Sequence, residues 1–390
     1  MRQQAFRFIV TLGLLSLFAD MVYEGARSIL GPFLVTLGAS AAAVGFISGV
    51  GEFIGYGLRV VAGYAADRTH RYWALTIAGY LLTIVAVPLL GFVGRLDLAF
   101  ALVIAERLGK AVRSPARDTL LSHASHGMGR GLGFGLHEAL DQIGAVLSPL
   151  LLWAVLASRE GDYRLAFGIL IVPGAFAAAA LLWARLRVPD PAVFEPAAAI
   201  DEGEVDGRRR AFPEVLRRYL LFTFFASLGF APFPLIAFHL TKSGVLSASR
   251  VPVMFAVAMA IDAGVALGVG RLYDRNGLVV LIGAPVATVA ALLVFATSTV
   301  LVWIGAIFWG AILGIQESTL RAAVADLARS ASRATAYGIF NAIYGFALLV
   351  GGTALGFLYE RSILEVALFV TATEVIAVVL FARIGRKPFS

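Results

Sequence analysis

The chain has 390 residues, 59% of them hydrophobic and 15% charged, with a formal net charge of +7 and no cysteine. Soluble domains average ~45–50% apolar and ~25% charged residues, so a mean hydropathy of +0.86 leaves too little polar surface to clothe a water-soluble globule. These figures exclude a cytosolic single-core enzyme, a disordered chain and an outer-membrane barrel, whose strands alternate apolar with polar residues.

A helical integral membrane protein remains, and about 32 residues per segment would suit twelve spans of ~20–25 residues with short connections. Apolar runs bounded by charge or turn residues predict spans over 7–36, 42–65, 73–94, 98–121, 132–157 and 164–187. The same reading continues over 217–240, 250–271, 278–298, 300–325, 334–358 and 363–383. The first run is too long, and too interrupted by acids, for a cleavable signal peptide. Residues 188–216, with Pro189, Pro191 and Pro196, the acids from Asp201 to Asp206, and Arg208 to Arg210, read as a cytoplasmic linker. It separates an N-terminal six-helix bundle, 1–187, from a C-terminal one, 217–390. The absence of cysteine removes disulfides, thiolate metal sites and Cys nucleophiles.

With both termini on one side, most of the 32 Lys and Arg fall on that side. Arg95, Arg159, Arg164, Lys242, Arg250 and Arg361 fall on the other, and Arg27, Arg59 and Arg107 lie within spans. The positive-inside rule makes the rich side cytoplasmic. The expected location is the inner (cytoplasmic) membrane, multi-pass, with both termini in the cytoplasm. The +7 is then an orientation signal, and no aromatic-interleaved basic patch points to nucleic acid.

The two halves resemble each other. Gly63-Tyr-Ala-Ala-Asp67-Arg68-Thr-His-Arg71 follows the second span, and Gly270-Arg-Leu-Tyr-Asp274-Arg275-Asn-Gly277 follows the eighth. Arg130-Gly-Leu-Gly-Phe-Gly135 opens the fifth span as Arg333-Ala-Thr-Ala-Tyr-Gly338 opens the eleventh. Ser114-Pro-Ala-Arg117 likewise matches Ser318-Thr-Leu-Arg321. Three matched places in one order make a duplicated six-helix unit, a known build of secondary transporters.

These residues resemble the major facilitator superfamily over nearly the whole chain, and within it the bacterial drug:proton antiporters. The family's loop between helices 2 and 3 carries a glycine, then an aspartate four residues on, a basic residue, a second glycine and further basic residues. Gly63, Asp67, Arg68 and Arg71 fit, with His70 in place of the second glycine; the second copy keeps Gly270, Asp274, Arg275 and Gly277. The resemblance implies an all-α membrane protein of twelve transmembrane helices in two pseudo-symmetric six-helix bundles, rocking about a cavity lined mainly by helices 1, 4, 7 and 10. It implies that Asp67 meets the start of span 11 near Arg333, and Asp274 the start of span 5 near Arg130, as breakable latches; the alternative is that these loops only satisfy helix ends. Proton antiporters of the family carry a glycine–glycine–proline pattern in helix 5, matched here as Gly144-Ala-Val-Leu-Ser148-Pro149 with Ser for the second glycine. The helix 4 pattern is matched only loosely by Arg107-Leu-Gly109-Lys110.

An ionisable residue mid-span costs at least ~2.5–3.5 kcal/mol, so each one asks for a reason. Asp20, Glu24 and Arg27 form a single stripe on span 1 at ~100° per residue. They read as a proton or cation site at Asp20 and Glu24 tuned by Arg27, or as a structural Glu24–Arg27 pair with Asp20 beside it. Glu106, Lys110, Arg113 and Arg117 share one face of span 4, with Arg107 to the side. Arg113 and Arg117 read as inner-gate or interface charges around Pro115, which is expected to end regular helix. Arg107 could neutralise a buried acid or bind an anionic group. In span 5, His137 and Asp141 make an i,i+4 pair able to relay a proton, next to Glu138 and Gln142; a structural polar contact or half of a metal site are the alternatives. Glu317 and Arg321 in span 10 read as a gate salt bridge. Phe230, Phe233 and His239 in span 7 could line the cavity or simply be core.

Asp20, Glu24, Glu52, Glu106, Glu138, Asp141, Asp262, Glu317 and Glu374 outnumber Arg27, Arg59, Arg107 and Lys110 within spans. That balance points to an acidic cavity, proton coupling and a cationic or neutral amphipathic substrate. No H-E-x-x-H or P-loop motif is present, so neither an enzyme nor an ATP-driven pump is expected. The leading reading is proton-coupled export of small organic compounds by alternating access. The alternatives are a divalent metal cation transporter using Asp20 with His137 or His239, and a non-transporting ligand sensor or lipid translocator. The expected partners are a small-molecule substrate, protons and the lipid bilayer, for a monomer without cofactor.

Overall fold

The computed structural model describes residues 2–125, 130–159, 161–194, 214–328 and 333–384. All regular structure among the described residues is helical. An apolar chain in lipid has no water to satisfy its backbone, and only a helix closes every N–H on a C=O within the same segment. The chain divides into two compact units, residues 1–27 with 58–207, and residues 28–57 with 208–390.

The first unit holds the first part of α1 (Arg2–Thr36) and the last part of α2 (Ala41–Thr69), with α3 (Tyr72–Leu89), α4 (Leu96–Ser125), α5 (Arg130–Ser158), α6 (Tyr163–Gly168) and α7 (Ile171–Arg187). Its core joins Phe8, Leu12 and Leu15 of α1, Trp73 and Tyr80 of α3, Leu120 and Leu121 of α4, and Leu181 of α7. α3 and α4 approach most closely at Gly79 and Gly109, where a Cβ on Gly109 would stand 2.6 Å from the Gly79 carbonyl oxygen. In lipid, helices associate by such close packing, because lipid tails are as apolar as side chains.

The second unit holds α8 (Glu214–Leu228), α9 (Phe233–Lys242), α10 (Val251–Asn276), α11 (Gly283–Ala291), α12 (Thr299–Ile315), α13 (Arg321–Leu327), α14 (Arg333–Arg361) and α15 (Ile363–Ile384). It also holds residues 28–57, the end of α1 and the start of α2. The compact units therefore differ from the expected 1–187 and 217–390 halves. The reason is a seam of small residues: a Cβ on Gly45 would collide with the Gly352 carbonyl, and Gly49 and Gly356 leave similar room opposite Leu349 and Ala41. The Ala42 amide at the start of α2 donates to Glu360 at 2.9 Å. Most of the expected 188–216 linker, residues 195–213, lies outside the described residues.

Ten segments among the described residues are long and apolar enough to cross a membrane. The expected span at 98–121 falls on α4, which is long enough but too charged to count as apolar. The expected spans at 250–271 and 278–298 fall on one helical stretch, Val251–Phe295. At ~1.5 Å per residue that stretch is about twice the hydrocarbon thickness. It breaks where Gly277 caps α10 with φ 64°.

Candidate functional site

Three helices bring charge into the interior of the first unit. α1 supplies Ser16, Asp20, Tyr23, Glu24 and Arg27; α4 supplies Glu106, Arg107, Lys110, Arg113 and Arg117; α5 supplies His137 and Asp141. Asp20, Glu24, Glu106, Arg107, Arg113 and His137 are all buried. α1 and α5 meet because Gly144 leaves room for the Leu17 carbonyl, where a Cβ would collide. Ser148, standing where the antiporter pattern has glycine, donates to the Met21 carbonyl and ties the same two helices.

That contact sets Asp141 beside Ser16 and Asp20. Ser16 Oγ donates to Asp141 Oδ1 and accepts from Arg117 Nη1 at 3.3 Å. Asp141 also lies within electrostatic reach of Asp20. The result is a polar chain across three helices, from Arg117 through Ser16 to Asp141, with Asp20 beside it. Lys110, Arg113 and Glu24 lie within electrostatic reach of Asp20.

The remaining charges pair locally. Arg27 Nη1 stands 3.6 Å from Glu24 Oε2, and Arg107 Nε 3.4 Å from Glu106 Oε2. Tyr23 gathers two cations: Arg107 donates to its hydroxyl with the guanidinium 4.9 Å from the ring centroid, and Lys110 Nζ stands 3.6 Å from the same centroid. Arg113 donates to Thr83 Oγ1 at 2.7 Å and lies 4.6 Å over the Tyr80 ring. Arg117 Nη2 is 2.8 Å from Asp118 Oδ1.

Several expectations are redirected by these contacts. Asp20 has Asp141 of α5 beside it, while Glu24 pairs with Arg27. His137 is buried, but neither ring nitrogen has a hydrogen-bond partner among the described residues, so no direct His137–Asp141 relay forms. Glu138 turns to the exposed side of α5. Arg113, expected at a gate, is 2% exposed and held against α3. Pro115 does not end α4, which continues to Ser125. The Ser114 hydroxyl donates to the Lys110 carbonyl at 2.6 Å and the Thr119 hydroxyl to the Pro115 carbonyl at 3.0 Å, the side-chain compensation that lets proline sit inside a membrane helix.

In the second unit, the aromatics offered as cavity lining are core. Phe230 stacks on Trp309 with centroids 5.5 Å apart, and Phe233 meets Phe255 at 4.4 Å. His239 Nδ1 is 2.9 Å from the Tyr359 hydroxyl. Glu317 and Arg321 are exposed; Glu317 lies within a π-helical turn, Gln316–Leu320, and Arg321 directly follows it. Ser318 and Thr319 each hydrogen-bond a carbonyl four residues back at 2.5 Å, offering the backbone an alternative to its own ladder. Sequence reading missed Ser16, Tyr23, Tyr80 and Thr83. The i−4 spacing of Ser16 from Asp20 and of Tyr23 from Arg27 was the available signal for two of them; nothing local marked the other two.

The paired loops share one conformational feature. His70 adopts φ 53°, and Gly277 at the matching place of the second copy adopts φ 64°. The family's glycine here answers a left-handed backbone, and His70 holds that conformation with its amide on the Ala66 carbonyl at 2.8 Å. Gly63 faces Pro115, with an added Cβ in ordinary contact at 3.6 Å, whereas Gly270 has open space. Asp67, Arg68, Arg71, Asp274 and Arg275 are exposed. The side chains of Arg130 and Arg333, near which the latches were expected, lie outside the described residues.

A stack of apolar helices with charge buried inside one unit makes a polytopic membrane protein. The chain belongs to the Major Facilitator Superfamily, whose family profile matches residues 12–352. An uncharacterized protein of Mycobacterium tuberculosis is 49% identical over 381 residues, 97% of this chain and 93% of that protein. An uncharacterized MFS-type transporter of Methanocaldococcus jannaschii is 24% identical over 91% of this chain and 89% of its own length. Among solved structures, a mutant of the nucleoside transporter NupG superposes with a TM-score of 0.78 at 14% identity, over 97% of this chain and 100% of that one. The peptide transporter POT with bound alafosfalin superposes with a TM-score of 0.71 at 17% identity, over 97% of this chain and 95% of that one. A bacterial homolog of the human lysosomal transporter Spinster, inward-facing and occupied, gives 0.68 at 18% identity, over 96% and 95%.

Proposed function

We propose that the chain is a proton-coupled secondary transporter that works by alternating access between two six-helix halves, and that Asp20 and Asp141 carry the coupling proton. The carrying observation is the placement of Asp141 against Ser16, one helical turn before Asp20, with Ser16 linked on to Arg117. A pair that holds one proton between two acids inside the membrane can release it when the local field changes and accept it again. Latches at Asp67 and Asp274 remain part of this proposal.

The substrate reading shifts with the contacts. Glu52, Asp262 and Glu374 belong to the second unit, and Glu138 and Glu317 are exposed. In the first unit's cluster, Arg27, Arg107, Lys110, Arg113 and Arg117 are matched by Asp20, Glu24, Glu106, Asp118 and Asp141. A neutral amphipathic compound therefore fits this balanced cluster better than a cation. Export is the direction implied by the helix 5 resemblance around Gly144, Ser148 and Pro149. Among the described residues no three His, Asp or Glu side chains gather as a metal-ligating group, so the divalent-cation alternative has no ligand set.

Proteoliposomes carrying the full chain test the reading. An imposed pH gradient should drive flux of a neutral probe such as uridine more strongly than of ethidium. Asp20→Asn and Asp141→Asn should each cut that flux about 100-fold, equivalent to ~2.7 kcal/mol. Undiminished gradient-driven flux in both variants would remove the coupling assignment.

A further inference from the structure

Glu374 has no role in the cluster above, yet it is 2% exposed and sits near the middle of α15, on the order of 15 Å from either end of that helix. Neither carboxyl oxygen has a hydrogen-bond partner among the described residues. The carboxyl is aimed at a break in the helical path: α8 ends at Leu228 and α9 begins at Phe233. A Cβ on Gly229, the first residue past α8, would stand 2.7 Å from Glu374 Oε1 and 2.9 Å from Thr373 Oγ1. Only a glycine lets the acid come this close to the unwound backbone.

Two negative features meet at that point. The C-terminal end of α8 presents carbonyls without helical partners and about half a negative charge, and Glu374 adds a carboxylate. α8, α11 and α14 pack against α15, and among the described residues none of them supplies Glu374 with a hydrogen-bond partner. An isolated ionised carboxylate in a low-dielectric interior is prohibitively costly. The site is therefore complete only with a cation on it. Discontinuous membrane helices are where unwound carbonyls and half-helix C-termini hold protons or sodium in transporters.

We propose that Glu374, with Thr373 and the backbone at Leu228–Gly229, is a monovalent-cation site in the second unit, taking a proton or a sodium ion, separate from the Asp20–Asp141 pair. Thr373 Oγ1 donates to the Val370 carbonyl at 2.9 Å and keeps its lone pairs for a cation. The break is also next to a small void lined by Gly229, Phe230, Thr288 and Trp309.

Thermal unfolding of the full chain in lipid nanodiscs, in choline or sodium chloride and at pH 6 or pH 8, tests the site. A sodium site raises the wild-type midpoint by about 3–6 °C on replacing choline with sodium at pH 8. A proton site raises it by a similar amount on moving from pH 8 to pH 6 in choline, with no response to sodium. Glu374→Gln, which keeps the shape without the charge, should fold and lose whichever response the wild type shows. Thr373→Ala should weaken a sodium response and spare a proton response. A wild type indifferent to both cations, or a Glu374→Gln protein with the full response, would overturn the proposal. Asp20→Asn should leave a sodium response intact, and Asp20→Asn combined with Glu374→Gln should lose more of a pH response than Asp20→Asn alone, which separates this site from the coupling pair.

Discussion

The two units are built from related sequence but fill their interiors differently. In the first, α1, α4 and α5 enclose acids, arginines and a lysine that satisfy one another through Ser16, Tyr23 and Thr83. In the second, the corresponding volume is aromatic: Phe230, Phe233, Phe255 and Trp309 pack edge and face, with the Trp309 indole N–H on the Ala231 carbonyl at 2.9 Å. Duplication preserved the loops and helix starts, which answer to backbone geometry. It did not preserve the interior: the second unit packs aromatics around Trp309 and buries only scattered acids such as Asp262 and Glu374.

Three substitutions sharpen that contrast. The largest expected effect is Trp309→Ala, which empties the aromatic core and should cost about 3–5 kcal/mol. Measured by denaturant unfolding in detergent, the loss should come with no change in the pH dependence of transport by the surviving protein; a changed pH profile would blur the contrast between the units. Thr83→Val is smaller. It removes the acceptor for Arg113 while keeping side-chain volume, and should cost about 1–3 kcal/mol because a buried guanidinium loses a partner. A neutral result would mean that the Tyr80 ring alone holds Arg113. The smallest is His70→Gly, which relieves a left-handed residue and should raise stability by about 1 kcal/mol or less, since glycine also loosens the unfolded chain. If the midpoint falls, the His70 side chain makes a contact that outweighs its backbone strain.

Much of this organisation was legible without coordinates. The apolar runs mark helices because lipid forbids any other open backbone. The paired Asp67 and Asp274 loops mark duplication because their turns need the same left-handed residue. The stripe of Asp20, Glu24 and Arg27 was visible because a helix repeats its face every three to four residues. Its partners were not. Asp141 lies far along the chain from Ser16 and Asp20, and no periodicity joins them; only the close crossing at Gly144 brings α5 onto α1. The balance of charge at the site was misread for the same reason, since a count along spans cannot tell a buried acid from one turned outward, as Glu138 and Glu317 are.

By itself, then, the sequence determined membrane insertion, the helical class, the duplicated build and the family, because each follows from local composition and from backbone rules that act within a few residues. Only the tertiary structure decided which acid lies beside Asp20, that residues 28–57 join the second unit, and that Glu374 faces the α8–α9 break. Those outcomes depend on which helix faces meet, and small residues distant in sequence set how closely they can approach.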